Sequence, residues 1–229
     1  MHKAHAFLVV VIALAIVGQR GDSGEKKDGG VVVDKEKRVI KIDAKIAPRK
    51  LEHLKGEIYP IEVIACWAHP KGKKAHETVV TVEAKPSAVH KALESLGVKA
   101  GKPVMGESKD PPVGPDVVLY LEIATPDGVK KVTMDKALIE PRLKKPFPKD
   151  VKFRFTGSVM SKPDPNKDEM VYGADLTGTL IAIFPVTDQT VLQTNLTMKY
   201  ERLLKLEVNT NVLPPEGTAV KLCIEVPAK

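Results

Sequence analysis

Residues Ala65–Val80 read ACWAHPKGKKAHETVV, and how the two apolar ends of this stretch pair decides the fold. Upstream, Ile58 to Cys66 is an apolar run broken by Pro60 and Glu62. Downstream, Thr78, Val80, Val82 and Ala84 recur with a period of two, the signature of a half-buried strand. If the two runs pair with each other, the polar segment between them is the turn of a β-hairpin. In a hairpin, Cys66, His69 and His76 stand at the same end of the pair. Thiolate and imidazole are ordinary ligands of zinc and copper, so these three residues form a candidate metal or redox site. The competing reading of His76 is a hydrogen-bonded residue at a sheet end. Strand alternation puts His76 on the Val80 and Val82 face and Glu77 on the opposite one. The His76-Glu77 dipeptide is therefore expected to be split across the sheet, and the H-E-x-x-H spacing of a helical metal site is absent.

Working outward, Arg38 to Ile46 alternates, with Ile42, Ala44 and Ile46 on one face. Val117 to Ala124 is a further strand, and Pro126-Asp127-Gly128 turns it into Val129 to Met134. Val151 to Met160, Leu176 to Phe184, Leu196 to Tyr200 and Ala219 to Val226 are strand-like as well. One helix is predicted, about 87–96. Pro86-Ser87 opens it, Val89, Ala92, Leu93 and Leu96 form an apolar stripe, and Gly97 ends it. Ser87 is expected to accept from the free amides of the first turn. The expected fold class is β-rich α+β, with antiparallel or mixed sheets and this helix packed on a sheet. Pro141 to Lys149 is a proline-rich connector and the candidate division between two sub-lobes of a domain running over 31–229.

The segments Tyr59–Cys66 (YPIEVIAC), Gly72–Val80 (GKKAHETVV) and Pro86–Val104 (PSAVHKALESLGVKAGKPV) resemble the YdjY-like domain of bacterial exported proteins. Phe155–Met160 (FTGSVM) and Gly178–Phe184 (GTLIAIF) are similar to that family's second half. The motif residues carried over are His76, Glu77, Ser87, His90 and Gly97. The resemblance implies a domain type and an extracytoplasmic compartment, and it names no reaction. His90 falls too far along the sheet from His76 to share a four-ligand site with it, and is read as a structural residue of the first helical turn.

The N-terminus carries its own address. Met1 to His5 is basic, and Ala6 to Gly18 is an uninterrupted apolar run too short to span a bilayer. Residues 1–18 are read as a signal peptide, cleaved between Gly18 and Gly24 or kept as an uncleaved anchor, and 19–30 as a flexible linker. Gln19 stands where a lipoprotein has its lipidated cysteine, so lipid attachment there is chemically barred. The protein is expected outside the cytoplasm, periplasmic or secreted. In that compartment Cys66 and Cys223 either form a disulfide or are two small buried side chains.

The chain carries a net charge of +7 and few aromatics. Its basic clusters, such as Lys71, Lys73 and Lys74 or Lys130 and Lys131, are scattered and lack interleaved aromatics, so nucleic acid is not expected as a partner. Asp164, Asn166, Asp168 and Asp175 match positions 1, 3, 5 and 12 of a calcium loop, but Glu169 replaces its turn glycine and a polar hairpin loop explains the stretch equally. No G-x-S-x-G, phosphate loop or dinucleotide fingerprint occurs. The sequence therefore points to an exported, non-catalytic binding or accessory module with an envelope protein as partner. The alternative is a zinc, copper or redox protein using Cys66, His69 and His76.

Overall fold

The computed structural model describes Lys26, Lys27 and residues 30–228. The signal-peptide reading of 1–18 and most of the expected linker lie outside these residues. Within the linker, Lys26–Lys27 pairs antiparallel with Val31 and Val32.

Eight strands form a closed ring: β1 (Val39–Ile46), β2 (Val63–Trp67), β3 (Thr78–Val82), β4 (Asp116–Thr125), β5 (Phe153–Phe155), β6 (Thr179–Ala182), β7 (Leu192–Thr194) and β8 (Ala219–Glu225). Round the ring the order is β1-β8-β4-β5-β7-β6-β2-β3, and β3 returns to β1. Two neighbouring pairs, β2–β3 and β6–β7, are parallel, and the others are antiparallel. This corrects the expected α+β class: the sheet closes into a barrel filled by its own inward side chains, and the helices are few and short.

Closure explains the alternation. Ile42, Leu222 and Leu121 sit side by side across β1, β8 and β4, as do Ile40, Ile224 and Leu119. All six belong to one buried core, and an eight-stranded ring is just wide enough for such side chains to fill it. The intervening residues Lys41, Asp43, Lys221 and Glu122 point outward. The helix α1 (Pro86–Ser95) lies against Val31–Asp34, β1 and the short turn Ala174–Thr177. Its stripe of Val89, Ala92, Leu93 and Leu96 joins the same core as the barrel interior.

The strands before and after the proline-rich segment Pro141 to Lys149 share this one ring, so the segment links elements of a common barrel. Two local expectations also change. Leu196 to Tyr200 gives way to a helix over Met198–Leu203, and the ring strand comes earlier, at Leu192–Thr194. Polar residues disguised that strand. Gln193 is buried because its side chain bonds both backbone groups of Val104, at 2.9 and 2.8 Å, and the carbonyl of Thr187. Thr194 is buried with its hydroxyl on the carbonyl of Ile183.

The opening stretch is not a hairpin. β2 and β3 run parallel, with Val63 opposite Thr78 and Trp67 opposite Val82. Residues 68–77 must therefore travel back along β2, and Ala75 packs on Val63 and Cys66 as they do so. Gly72 permits the return: a Cβ there would stand 1.8 Å from the Trp67 carbonyl oxygen. Replacing Gly72 with Ala is expected to cost about 3 kcal/mol or more, lowering the melting temperature by roughly 6–12 °C. Gly97→Ala, with positive φ but open space around the new Cβ, should cost only about 1 kcal/mol. Thermal denaturation of the two variants checks the contrast, and equal losses would contradict it.

Candidate functional site

The parallel crossover delivers His76 and Glu77 beside the start of β2, where the Glu62 amide donates to the Glu77 carbonyl at 3.0 Å. Ala75–Glu77 is a single 3-10 turn, so strand alternation does not govern these residues. Instead of being split across a sheet, His76 Nε2 and Glu77 Oε1 meet at 3.2 Å. Lys74 bridges two carboxylates, with Nζ 2.9 Å from Glu62 Oε2 and 2.6 Å from Glu77 Oε2. Arg49 is buried behind them. Its guanidinium donates to both carboxylate oxygens of Glu207, at 2.7 and 3.2 Å, to the His76 carbonyl at 2.9 Å and to the Tyr59 carbonyl. The Tyr59 ring stands edge-on to His76 with centroids 5.1 Å apart.

The electrostatics follow from burial and pairing. Desolvation raises the Glu62 carboxyl above its ordinary value, against the pull of Lys74. Burial, then the nearby Lys74 charge, lowers His76. Burial alone would lower Lys74, but its hydrogen bonds to Glu77 and Glu62 outweigh that and raise it. These groups are spent on one another and on backbone carbonyls. Their arrangement pins the crossover against β2.

The other motif residues form a separate lock on α1. The helix starts after Lys85 with no side-chain cap of its own. Contrary to the capping expectation, Ser87 donates rather than accepts: its amide reaches Asp175 Oδ1 at 2.9 Å and its hydroxyl reaches Oδ2 at 2.5 Å. Asp175 therefore caps the helix from a distant segment. His90 Nδ1 lies 2.8 Å from the Tyr172 hydroxyl, which also accepts from the Ser158 amide at 3.1 Å. The His90 ring packs edge-on to Phe155 and Tyr172. Gly97 takes the expected left-handed conformation, φ +80.

The candidate metal ligands do not converge. The parallel pairing places His76 near the start of β2 and His69 beyond its end, so the shared-end geometry of a hairpin is lost. The Cys66 thiol is buried under the crossover, 3.1 Å from the Trp67 carbonyl, and burial pushes its pKa up to about 12. His69 stacks on His53 with centroids 3.8 Å apart and planes 14° from parallel. A metal lies in the plane of its imidazole ligand, so two rings stacked in this way cannot share one. Among the described residues no three His, Cys, Asp or Glu side chains are arranged to hold a metal ion. The calcium-loop residues disperse too: Asp164 accepts from the Asn166 amide at 3.0 Å, Asp168 pairs with Lys162 at 3.0 Å, and Asp175 serves α1. Cys66 and Cys223 are both buried and free.

The open concavity lies elsewhere, on the outer barrel wall. A trough of about 830 Å³ is lined by residues of β1, β3, β4 and β8 together with Gly30, Ala68, Glu83 and Val129. Strand register organises it. Lys45 stands opposite both Thr81 and Ala219, and Ala124 stands opposite Val129. Carrying the pairing of Lys221 with Glu122 two residues on sets Ala219 beside Ala124. The floor is thus the row Thr81, Lys45, Ala219, Ala124 and Val129, small or apolar except for one lysine. The neighbouring row, Glu83, Asp43, Lys221 and Glu122, is a charged wall. Asp43 pairs with Lys221, and Glu122 with Lys41 at 3.0 Å. Among the described residues the side chains of Lys45 and Glu83 have no polar partner. A second hollow of about 380 Å³, holding His53 and His69, shares Ala68 and Thr81 with the trough. The sequence reading passed over Lys45, Glu83 and His53. The alternating polar residues of Lys41, Asp43 and Lys45 were the available signal, marking the outer face of one strand.

If the crossover cluster is a structural pin, Lys74→Met leaves two half-buried carboxylates without their cation. The expected loss is about 2–4 kcal/mol at pH 7. Glu62 has a raised pKa, so the folded state binds its proton more tightly than the unfolded chain, and protonation favours folding. The deficit should be largest above the folded pKa of Glu62 and shrink as pH falls toward its ordinary value of 4.5. Urea unfolding at pH 7 and pH 5 measures this, and a deficit independent of pH would contradict it.

No curated protein matches the chain, and no solved structure does. The model of the YdjY domain matches residues 31–225, a span that holds the whole ring, the crossover with its His76-Glu77 pair and the helix lock. The chain therefore belongs to the YdjY domain family.

Proposed function

We propose that this protein is an exported, non-catalytic binding or accessory module of the cell envelope, and that the trough on the barrel wall is its ligand face. One observation carries this reading: the trough is the larger of the two hollows described, and among the described residues Lys45 and Glu83 in it have no polar partner. Catalytic constellations find no such support. The Ser87 hydroxyl is committed to Asp175, the Cys66 thiol is buried, and Glu62, Lys74, His76 and Glu77 are paired with one another. A trough with a small-residue floor and a few fixed polar groups suits recognition of a ligand held by shape and orientation. The export half of the proposal rests on the basic start and the apolar Ala6 to Gly18 run. No helix among the described residues is long and apolar enough to cross a membrane.

Two measurements test the reading. Fractionation of cells producing the full chain should recover it outside the cytoplasm, and recovery in the cytoplasm would overturn the envelope assignment. Amide-shift mapping of the purified protein with peptides, oligosaccharides and phospholipid vesicles should show one class perturbing Lys45, Thr81 and Ala219. Ala219→Trp, which fills the floor from an exposed position, should abolish that response and leave the melting temperature within about 2 °C, as surface substitutions generally do. Shifts confined to His76 and Glu62 would move the site to the crossover cluster.

A further inference from the structure

We infer that a second surface, which shares no lining residue with the trough, docks the protein on a membrane bearing anionic phospholipid. Leu138–Glu140 and Lys145–Pro146 pair antiparallel as a short hairpin. The chain is buried at Glu140 and Phe147, and every residue between them is exposed. Lys144 takes φ +51, uncommon for a residue with a side chain, in the turn that carries the exposed Leu143. The helix Met198–Leu203 lies beside this turn, where the Arg142 guanidinium donates to the Leu203 carbonyl at 2.9 Å. None of that helix's residues is buried. Tyr200 and Leu203 fall one turn apart on one face of it. Leu143, Tyr200 and Leu203 are 54%, 45% and 56% exposed. Single exposed apolar side chains are ordinary, but three on two segments fastened together form a patch, and such patches mark contact surfaces.

The charge on these two segments selects the occupant. The carboxylates beside them are already taken: Glu140 by Arg142 at 2.8 Å, Glu201 by Lys205 at 2.9 Å, and Glu107 by Arg202. Lys144, Lys145 and Lys199 have no acidic partner among the described residues. Apolar side chains flanked by unpaired cations match the boundary between acyl chains and anionic headgroups. Leucine enters the apolar layer, a tyrosine ring sits at headgroup level, and lysine meets phosphate. A second copy of the chain fits less well, because a two-fold contact of this patch with itself sets like charges against one another. Nucleic acid offers the phosphates but no apolar layer for Leu143 and Leu203.

The test places a polarity-sensitive fluorophore on Leu143→Cys in the purified full chain. Cys66 and Cys223 are buried, with thiol pKa values pushed up to about 12, so the label goes to the new thiol. Vesicles of phosphatidylglycerol and phosphatidylcholine should shift its emission to the blue, and phosphatidylcholine alone should not. The same label on Val129→Cys, exposed in the trough, should stay unshifted, which separates docking through this patch from adsorption by the apolar N-terminal run. Exchanging Lys144, Lys145 and Lys199 for Gln should raise the lipid concentration required by roughly a hundredfold, about fivefold for each lysine, and leave the circular dichroism spectrum unchanged. No shift at Leu143, equal shifts at both positions, or a shift indifferent to phosphatidylglycerol overturns the inference. A shift at Val129 alone assigns the lipid to the trough and overturns it too. A shift produced by soluble polyglutamate but not by vesicles means an acidic protein partner, and one that grows with protein concentration alone means a second copy; each overturns the membrane assignment.

Discussion

Three backbone pairs hold the barrel shut. Ala44 with Val82, Lys45 with Thr81 and Ile46 with Val80 join β1 to β3, and without them the ring is an open sheet with two long edges. The first half of β1 pairs instead with Val31–Asp34, so the chain changes partner midway along one strand. Ile46 and Val80 are fully or almost fully buried. Burying side chains of this size contributes about 1.5–3 kcal/mol each, so hydrophobic packing secures a closure made by few hydrogen bonds. Barrel closure also removes the exposed edges that would otherwise invite pairing with other chains.

The parallel β2–β3 pair is what permits that closure. A hairpin would bring β3 back antiparallel to β2 and point it the wrong way to meet β1 antiparallel. The parallel arrangement needs a return path, and residues 68–77 supply it at the cost of placing polar groups against the barrel wall. Lys74, Glu62, Glu77, His76, Arg49 and Glu207 answer that cost by satisfying one another. The His76-Glu77 dipeptide thus serves the topology. The same crossover places Ala68 at one end of the trough, so the fold's main constraint and the proposed ligand face share a segment.

Much of this was legible in the sequence. The alternation of Ile42, Ala44 and Ile46 identified the inner face of β1, Pro86 and Gly97 bracketed α1 to within a residue or two, and the Pro126-Asp127 turn was found where expected. What escaped has physical reasons. Periodicity reports which face of a strand is buried but not whether a neighbour runs parallel or antiparallel, so the β2–β3 pairing was misread and Cys66, His69 and His76 were gathered at one end. A 3-10 turn three residues long cancels strand alternation, which is why His76 and Glu77 met unexpectedly. Asp175 lies far from Ser87 along the chain, and no local signal announces a cap supplied from that distance. The trough was invisible for a similar reason: Lys45, Glu83, Ala219 and Ala124 become neighbours only once four strands are in register.

The central claim is therefore the closure of β1 on β3, since the crossover, the packed interior and the trough all depend on it. Backbone NMR of the purified protein tests it directly through cross-strand contacts and amide exchange. The account predicts nuclear Overhauser contacts linking Ala44, Lys45 and Ile46 to Val82, Thr81 and Val80, together with slow exchange of the amides in that pairing. Rapid exchange along β3 with no contacts to β1 would mean an open sheet and would contradict the barrel and the proposed ligand face built on it.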